Sequence, residues 1–247
     1  AGFKLIDPMG IPNIAPLSAA RQMIQDPMHN KFTSFSSYYD QSRVGVKYLA
    51  STFGAKNVCT MYLPTDFGKE ILEGTQAGVE EAGLTFAAET THKPDETDFV
   101  GSLSKLKESG CEIVTIALGV RQAITIVGTA KKMGLTDMKF MGTSASFLTV
   151  VAQVPGGVTE GFYAAASWQD LYARAEEPVV KAFIEEYKAA TGEDPQGFAM
   201  LGYAAAQQMV MALEAAGRDL TQESFIAAME TLDYQDDLVG NHINYGP

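Results

Sequence analysis

The stretch YLPTDFGKEILEGTQAGVEEAG, which runs from Tyr62 to Gly83, carries the clearest secondary-structure signals of the chain. It overlaps a short apolar run, Val58 to Leu63, of the kind that forms a strand buried on both faces. From Lys69 to Ala82 core-type side chains recur at helical spacing, and Gly83 stands where a C-cap glycine belongs. The stretch therefore predicts a buried strand, a corner and an amphipathic helix. The core-facing positions of this helix are Ile71, Leu72, Thr75, Val79 and Ala82.

The same pattern repeats downstream of Gly83. Asp98 is placed to cap a second helix that ends at Gly110, and a third helix ends at Gly134. This alternation predicts an α/β fold with a doubly wound parallel sheet and right-handed crossovers, with Val58 to Leu63 as a central strand. The other predicted strands are Leu84 to Ala88, which we expect beside the central strand, Ile113 to Leu118 and Lys139 to Gly142.

Ligands of such sheets bind beyond the carboxyl ends of the strands, in the loops that lead into the helices. Three corners lie at that edge of the predicted sheet. They are Pro64 to Gly68, Gly119 to Gln122 and Thr143 to Phe147. We expect a small molecule to contact the side chains of these corners.

Catalytic interpretations of the corners are poorly supported by the sequence. A phosphate loop needs clustered glycines, and the first corner has only Gly68. The segment GTSAS, Gly142 to Ser146, resembles a nucleophile elbow, but Ser146 replaces the second glycine and no acid and histidine follow in evident partnership. The triplet Asp66-Phe67-Gly68 lacks the upstream catalytic-loop signature of a kinase. We therefore expect a protein that is not an enzyme.

Charge and hydropathy argue against two classes of partner. The 247 residues include 18 basic and 30 acidic side chains, and the net charge of −12 would repel nucleic acid. No apolar run approaches the roughly 18 residues that a membrane span needs. The chain begins Ala-Gly-Phe-Lys, which has no signal-peptide or transit-peptide character, so this end does not indicate a cellular location.

The two cysteines exclude a disulfide-dense scaffold and a four-cysteine metal site, and the three histidines lack metal-ligand spacing. We expect neither a metal nor a cofactor. Cys59 and Cys111 lie near the starting ends of two strands that are neighbours in a doubly wound order, so they are able to meet. We expect two free, buried thiols nevertheless, because a disulfide requires Cα atoms within roughly 7 Å.

Outside the alternating region the pattern changes. The sequence predicts one strand and a turn at Gly10 to Pro16, and a further short strand at Gly161 to Ser167. Three helices are then predicted with apolar faces that indicate packing. They are Pro178 to Ala190, Gly197 to Ala216 and Thr221 to Leu232.

Five segments, in this order and spacing, resemble the substrate-binding proteins of the branched-chain amino acid ABC-transporter group, which have the type I periplasmic binding protein fold. No single segment is diagnostic, but the resemblance extends across nearly the whole length of the chain. The segments are GIPNIAPLSA, YYDQSRVGVKYLASTFGAKNVCTMYLPTDFGKE, DETDFVGSLSKLKESGCEIVTIAL, GVTEGFYAAASW and TGEDPQGFAMLGYAAAQQMVMALEAAG.

The resemblance implies two lobes joined by a hinge, with a ligand cleft between them that closes on a small solute. It implies an extracytoplasmic, periplasmic protein that hands its ligand to an ABC-transporter permease and performs no chemistry. The alternative is a ligand-sensing regulatory module of the same fold. A DNA-binding head or a membrane helix elsewhere in the protein would favour that alternative.

The chain resembles an internal fragment of that family. Members begin with several β-α units of the first lobe and end with strands that return through the hinge. We therefore expect residues 32–168 to form a complete second lobe, and residues 1–31 and 169–247 to supply parts of the first lobe.

The resemblance implies an aromatic residue in the first corner, which Phe67 matches, and a carboxylate after the fourth strand, where Thr143 and Ser144 stand instead. A buried ammonium without a counter-charge is unfavourable, so a small organic acid or an aromatic carboxylate is expected unless Asp66 supplies that charge. Arg121 would clamp the carboxylate, although a solvated charge at the helix start is its alternative role. The expected ligand-binding residues are Ser18, Ala19, Tyr38, Asp66, Phe67, Gly119, Val120, Arg121, Thr143 and Ser144.

Overall fold

The computed structural model describes residues 2–246, and these form two compact units. The continuous unit is Ser36–Ala166, and the discontinuous unit contains the residues up to Phe35 and those from Ser167 onward. These limits lie within a few residues of the predicted segment 32–168, whose role as a lobe stays a prediction. The predicted outer segments end at Ala1 and Pro247, which lie outside the described residues.

Strands and helices alternate along most of the described chain. The strands are β1 (Asn13–Ile14), β2 (Lys31–Phe32), β3 (Asn57–Tyr62), β4 (Thr85–Thr91), β5 (Ile113–Ala117), β6 (Lys139–Gly142), β7 (Phe162–Ala164), β8 (Asp233–Asp236) and β9 (Asn241–Asn244). The α-helices are α1 (Phe3–Ile6), α2 (Tyr38–Phe53), α3 (Asp66–Glu81), α4 (Val100–Glu108), α5 (Val120–Lys132), α6 (Thr149–Ala152), α7 (Pro178–Thr191), α8 (Gly197–Ala216) and α9 (Gln222–Glu230).

A five-stranded sheet with the order β4-β3-β5-β6-β7 forms the centre of the continuous unit, and every neighbouring pair is parallel. The predicted doubly wound α/β fold is confirmed. Strand β3 is interior, with β4 on one side and β5 on the other, although β5 is the middle strand of the five. The carboxyl ends of β3, β5 and β6 meet at one edge of this sheet.

Local signals fix the ends of the helices, although α3 begins at Asp66 rather than at the predicted Lys69. The Thr65 hydroxyl accepts a hydrogen bond from the Gly68 N–H and caps α3, and the Asp98 carboxylate accepts one from the Val100 N–H at the start of α4. After α4 and α5 the chain turns through left-handed backbone at Gly110 and Gly134, with φ of 70° and 71°. Helix α2 was not predicted, and it is the main addition to the expected order.

Two glycines allow α2 and α3 to pack in close contact. A Cβ atom at Gly74 would lie 2.3 Å from the Tyr39 carbonyl oxygen, and one at Gly78 would lie 2.5 Å from the Arg43 carbonyl oxygen. No side chain fits between the two backbones at these points. The glycines inside α3 therefore set the distance between the two helices. The close packing that they allow compensates for the unfavourable effect of glycine on helix stability.

Three buried threonines join the sheet of the continuous unit to α3. The Thr115 hydroxyl lies 2.8 Å from the Thr60 hydroxyl and 2.9 Å from the Thr75 hydroxyl, and all three residues are buried. Thr115 also donates to the Cys59 carbonyl at 3.3 Å. This network satisfies hydroxyls that would otherwise be buried at a cost in free energy.

Cys59 and Cys111 form a disulfide, so the expectation of two free thiols is wrong. Their Cα atoms are 5.8 Å apart, within the range that a disulfide requires. Cys59 pairs with Val114 in the parallel register of β3 and β5, and Cys111 lies just before β5. The predicted adjacency of these strands brings the cysteines together.

The discontinuous unit has a parallel pair of short strands, β1 and β2, an antiparallel pair, β8 and β9, and the helices α7 to α9. Phe32 packs in a buried cluster with Phe225 and Met229 of α9, which joins the two separate parts of this unit. The Tyr245 hydroxyl bonds to Ser34 and Gln208, each at 2.9 Å. Among residues 2–246, none of the helices has the length and apolar character needed to cross a membrane.

Candidate functional site

The first corner of the sheet edge follows β3. Asp66 is exposed in the first turn of α3, where a carboxylate interacts favourably with the helix dipole. A Cβ at Gly68 would lie 1.9 Å from the Leu63 carbonyl oxygen. Gly68 is thus required by the close approach of the Leu63 carbonyl. A phosphate loop needs several clustered glycines, and this corner has one.

Two aromatic residues of the predicted set are in contact beside this corner. The rings of Tyr38 and Phe67 are edge-to-face, with centroids 4.9 Å apart. Both rings pack, partly buried, against a small cluster formed by Tyr62, Ile71 and Ala117. The contact provides an apolar surface at the carboxyl end of β3 and β5.

The second corner follows β5, where Gly119 caps α5. The Gln122 side chain accepts from the Gly119 N–H at 3.3 Å and donates to the carbonyls of Lys93 and Glu96 at 2.8 and 3.3 Å. Gln122 therefore connects this corner to the loop between β4 and α4. Val120 is half-buried, whereas Gly119 is exposed.

Arg121 is exposed in the first turn of α5. No carboxylate among residues 2–246 lies within ion-pair distance of its guanidinium group. A cation at a helix N-terminus is repelled by the helix dipole, by roughly 0.3–1 kcal/mol in exposed positions. Arg121 therefore contributes nothing evident to the stability of α5.

The third corner follows β6 and is buried. The Ser144 N–H donates to the Gln41 side-chain oxygen at 2.8 Å, and the Gln41 amide donates to the Ser36 carbonyl at 2.6 Å. Gln41, at the start of α2, thereby holds the corner in place. Thr143 and Ser144 are 1% and 3% exposed.

The Thr143 hydroxyl has no hydrogen-bond partner among residues 2–246, although its oxygen is buried. Such a group costs about 1–3 kcal/mol when it is left unpaired. Ser146 is also buried, and a Cβ at Gly142 would lie 2.8 Å from its Oγ atom. Ser146 thus folds back over Gly142 in a short 3-10 turn, and Ser144, which stands at the nucleophile position of the elbow pattern, is buried.

Polar side chains also pair around the carboxyl end of β4. The buried His92 ring lies 3.0 Å from a Glu96 carboxylate oxygen and 2.7 Å from the Thr90 hydroxyl. Burial raises the pKa of Glu96, but hydrogen bonds from the Lys93 N–H and His92 outweigh burial, and the pKa is lowered. These polar side chains find their partners within the fold, which distinguishes them from Arg121.

Tyr62, at the end of β3, donates to a Glu89 carboxylate oxygen at 3.2 Å. Burial raises the pKa of the Tyr62 phenol, and the Glu89 charge raises it further. The phenol therefore remains a neutral donor at ordinary pH.

The two predicted residues of the discontinuous unit lie after β1. Ala15 has a left-handed φ of 38°, which is uncommon for a residue with a side chain, and the chain turns there. The Ser18 N–H donates to the Pro16 carbonyl at 2.7 Å. Ser18 is half-buried and Ala19 is buried.

Gln41 and Gln122 were not among the predicted site residues. Gln41 has a local signal, because Ser37 and Asp40 form an N-terminal cap for α2 in which the Ser37 hydroxyl accepts from the Asp40 N–H at 3.0 Å. Recognising that cap would have placed Gln41 in the first turn of a helix. Gln122 lacks such a signal, since its partners are carbonyls of a distant loop. Among the described residues there is no group of three or more His, Cys, Asp or Glu side chains that could hold a metal ion.

The comparison with known protein families agrees with this fold. The model of the periplasmic binding protein family matches residues 5–246. The chain belongs to this family. A curated relative is the leucine-, isoleucine-, valine-, threonine- and alanine-binding protein of Pseudomonas aeruginosa, which is 25% identical over 209 residues, or 84% of this chain and 54% of the relative.

Solved structures of family members share the fold. A branched-chain amino acid ABC transporter protein from Thermus thermophilus, with bound valine, has a TM-score of 0.79 at 23% identity over 91% of this chain and 60% of its own. A solute-binding protein of an ABC transporter from R. palustris, in complex with benzoate, has a TM-score of 0.80 at 18% identity over 96% of this chain and 64% of its own. The chain spans about half the length of the curated relatives that it matches.

Proposed function

We propose that this protein is an extracytoplasmic solute-binding protein that captures a small organic ligand between two lobes and delivers it to an ABC-transporter permease. The observation that carries the proposal is that the edge at the carboxyl ends of β3, β5 and β6 holds polar groups that the fold leaves unused. Arg121 lacks an ion-pair partner and the buried Thr143 hydroxyl lacks a hydrogen-bond partner among the described residues. A bound ligand would give the buried hydroxyl a hydrogen-bond partner and the exposed cation a counter-charge. Family membership supports the same role, because the curated relatives are binding proteins.

The first ligand class that we propose is an organic acid with an apolar part, such as an aromatic carboxylate. Arg121 would bind the carboxylate through two parallel hydrogen bonds, and Thr143 would donate to the ligand or accept from it. The edge-to-face pair of Tyr38 and Phe67 would pack on the apolar part. Ser18 and Ala19 would contribute from the first lobe when the lobes close.

The second candidate class is an α-amino acid, and the name of the Pseudomonas relative favours it. This class requires a carboxylate for the ligand's ammonium group, because a buried ammonium without a counter-charge costs several kcal/mol. Asp66 is the acidic residue of the first corner, and no cation among residues 2–246 forms an ion pair with it. Asp66 is therefore the residue whose role separates the two classes.

The test is a thermal-shift screen of the complete protein against carboxylates including benzoate, amino acids including leucine and valine, and amides. A ligand present at a hundredfold excess over its Kd stabilises the folded protein by about 2.7 kcal/mol. The melting temperature of the protein therefore rises by several degrees. No response to any member of the three classes would contradict the proposed function.

Two substitutions then separate the ligand classes by calorimetry. If the ligand is an organic acid, Arg121→Ala weakens binding by roughly tenfold or more, because a charged, bidentate hydrogen bond is lost. If it is an amino acid, Asp66→Asn produces the comparable loss. Lys132→Ala is the control, since it removes a positive charge from the opposite end of the same helix. An equal effect of Arg121→Ala and Lys132→Ala would contradict a direct contact.

A further inference from the structure

Asp236, the last residue of β8, has a buried carboxylate that the fold satisfies on one side only. Its Oδ1 atom accepts from the N–H groups of Leu238 and Val239, each at 3.0 Å. Its Oδ2 atom is buried and has no hydrogen-bond partner among residues 2–246. Asp236 is 4% exposed and belongs to none of the ion pairs between those residues. The carboxylate therefore lacks a counter-charge within the described fold, and the burial of an unpaired charge is unfavourable.

Arg174 bonds to the same turn but does not supply that counter-charge. Its guanidinium group donates to the Leu238 carbonyl at 3.1 Å and to the Asp237 carbonyl, and its ion pair is with Glu177. The cation thus holds the backbone of the turn and leaves the Asp236 carboxylate to other partners.

Asn241, the first residue of β9, has a second unused oxygen. It lies directly opposite Asp236 in the antiparallel register, so the two side chains are on the same face of the hairpin. The Asn241 amide nitrogen donates to the carbonyls of Ser167 and Ser34, at 3.1 and 3.5 Å. Because these carbonyls only accept hydrogen bonds, they fix the orientation of the amide and turn its oxygen away from them. That oxygen is buried and has no partner among the described residues.

Asp236 and Asn241 line one small cavity of the discontinuous unit. Its volume, about 10 Å³, admits one particle of about the size of a water molecule. The other polar side chains in its wall, Ser34 and Gln208, bond to each other at 3.2 Å and to the Tyr245 hydroxyl. The rest of the wall is apolar. The two unused oxygens are therefore the groups that a guest in this cavity would contact.

We propose that this cavity binds a monovalent cation of the Na⁺ class, which Asp236 Oδ2 and Asn241 Oδ1 coordinate. Both atoms are acceptors, so the guest is a cation or a hydrogen-bond donor, and oxygen ligands of this kind suit hard cations. A single positive charge neutralises the single carboxylate. A water molecule would bond to both oxygens but would leave the buried charge without a counter-charge.

A divalent ion fits this cavity less well. It would leave an excess positive charge within an apolar wall, and the residues 2–246 bring together no group of three or more His, Cys, Asp or Glu side chains to balance it. The proposal revises the expectation that the protein binds no metal ion, and it does not depend on the proposed function.

The bound ion would stabilise the discontinuous unit as a whole. Asn241 belongs to the later of the two segments that form this unit, and the Ser34 carbonyl, to which its amide donates, belongs to the earlier one. An ion at the Asn241 oxygen polarises the amide and strengthens the hydrogen bonds that its N–H groups donate. The site is complete only when both segments are in place, so the ion binds the folded state and not the unfolded chain.

Thermal unfolding of the complete protein in NaCl and in choline chloride, at equal ionic strength, tests the proposal. Choline is too large for the cavity, so the comparison separates a bound ion from general screening. We expect Tm to be about 2–4 °C higher in NaCl and the difference to grow with the Na⁺ concentration. Equal Tm values in the two salts would overturn the proposal and would indicate a water molecule in the cavity.

A matched pair of substitutions provides the control. Asp236→Asn retains an oxygen for the Leu238 and Val239 N–H groups and places an NH₂ group where Oδ2 lies, from which it donates to the Asn241 oxygen. This variant should have the same Tm in both salts. Asp237→Asn removes a charge from the exposed neighbouring residue and should keep the full difference. A difference that survives Asp236→Asn, or one that disappears in Asp237→Asn, would overturn the proposal.

Discussion

At the residue scale, the most informative group is the Thr143 hydroxyl, which is buried without a partner at the third corner. Because the fold does not use this hydroxyl, replacing it should not destabilise the protein. We expect Thr143→Val to leave the free energy of unfolding unchanged or to raise it by about 1 kcal/mol, while the affinity for the ligand found in the screen falls. Urea unfolding and calorimetry measure the two effects.

Thr115 provides the control for that substitution, since its hydroxyl is equally buried but fully used. Removing it leaves the hydroxyls of Thr60 and Thr75 without their shared partner. Thr115→Val should therefore cost about 1–3 kcal/mol of stability. A loss of stability in Thr143→Val as large as that in Thr115→Val would show that the Thr143 hydroxyl has a structural role.

Tyr245 predicts a dependence of stability on alkaline pH. Burial raises the pKa of its phenol from 10.0 to about 12, while the hydrogen bond with Ser34 opposes the shift. In the unfolded chain the phenol ionises near its ordinary value, whereas in the folded chain it stays protonated. The stability that depends on the protonated phenol is therefore fully present below pH 10.0 and is lost as the pH rises towards about 12.

The free energy of unfolding should fall by roughly 2 kcal/mol between pH 10.0 and about 12, after allowance for solvent screening. Urea unfolding between these two pH values, with Tyr245→Phe for comparison, measures it. The stability of the wild-type protein should fall more steeply with rising pH than that of the variant. The variant should start from a lower stability, because it lacks the hydrogen bonds to Ser34 and Gln208. Parallel slopes for the two proteins would contradict this assignment.

At the element scale, the contact of α2 with α3 depends on glycine. Gly74→Ala would force a methyl group to 2.3 Å from the Tyr39 carbonyl oxygen, a backbone atom that is not free to rotate away. We expect a loss of about 1–3 kcal/mol in urea unfolding, despite the better helix propensity of alanine.

Gly101→Ala is the matched control, because a Cβ at Gly101 in α4 meets nothing within 4 Å. That variant should gain about 0.5–1 kcal/mol, since glycine is unfavourable inside a helix. The two substitutions are chemically identical, so opposite signs isolate the effect of the helix contact. A gain of stability in both would mean that α2 and α3 are not held so closely in solution.

The disulfide joins β3 to the turn before β5 across 52 residues of sequence. Closing a loop of that length reduces the entropy of the unfolded chain and is worth about 4 kcal/mol in the chain-entropy description. Unfolding in urea with and without a reducing agent should show a loss of this order, and Cys59→Ala/Cys111→Ala should be insensitive to the reductant. Titration of the denatured, unreduced protein should find no free thiol.

The alternating elements could be predicted from the sequence because each has its own local signal. Strand β6 and helix α8 have the predicted limits, and α3 begins three residues before the predicted Lys69. Helix α2 lacked a clear apolar periodicity, since Val44 and Tyr48 are exposed, and its cap at Ser37 and Asp40 was not recognised. The disulfide could not be predicted, because the strand order brings the two cysteines near each other but does not fix the distance between their Cα atoms.

The candidate site was predictable to the level of its corners. Strand ends in a doubly wound sheet gather at one edge, so the loops that contain Phe67, Arg121 and Thr143 could be identified without a structure. Their supporting contacts could not be identified. Gln41 and Gln122 act through carbonyls and amides of residues distant in sequence, and hydrogen bonds of that kind leave no periodic pattern.

At the scale of the whole molecule, the two units differ in how the chain builds them. The continuous unit takes its five-stranded sheet, its disulfide and its buried threonine network from residues 36–166 alone. The discontinuous unit depends on two separate segments, because Phe32 of the first packs with Phe225 and Met229 of the second. A unit built from one uninterrupted segment is able to fold without the rest of the chain.

We therefore expect the fragment 36–166, produced under oxidising conditions, to unfold in one cooperative urea transition and to show the dispersed amide spectrum of a folded domain. The fragment 167–246 is the comparison, and without Phe32 it should lack a cooperative transition. Adding residues 2–35 as a separate peptide should restore one, since that peptide returns β2 to the cluster. A fragment 36–166 without a cooperative transition would contradict this expectation and would mean that its sheet depends on contacts from outside these limits.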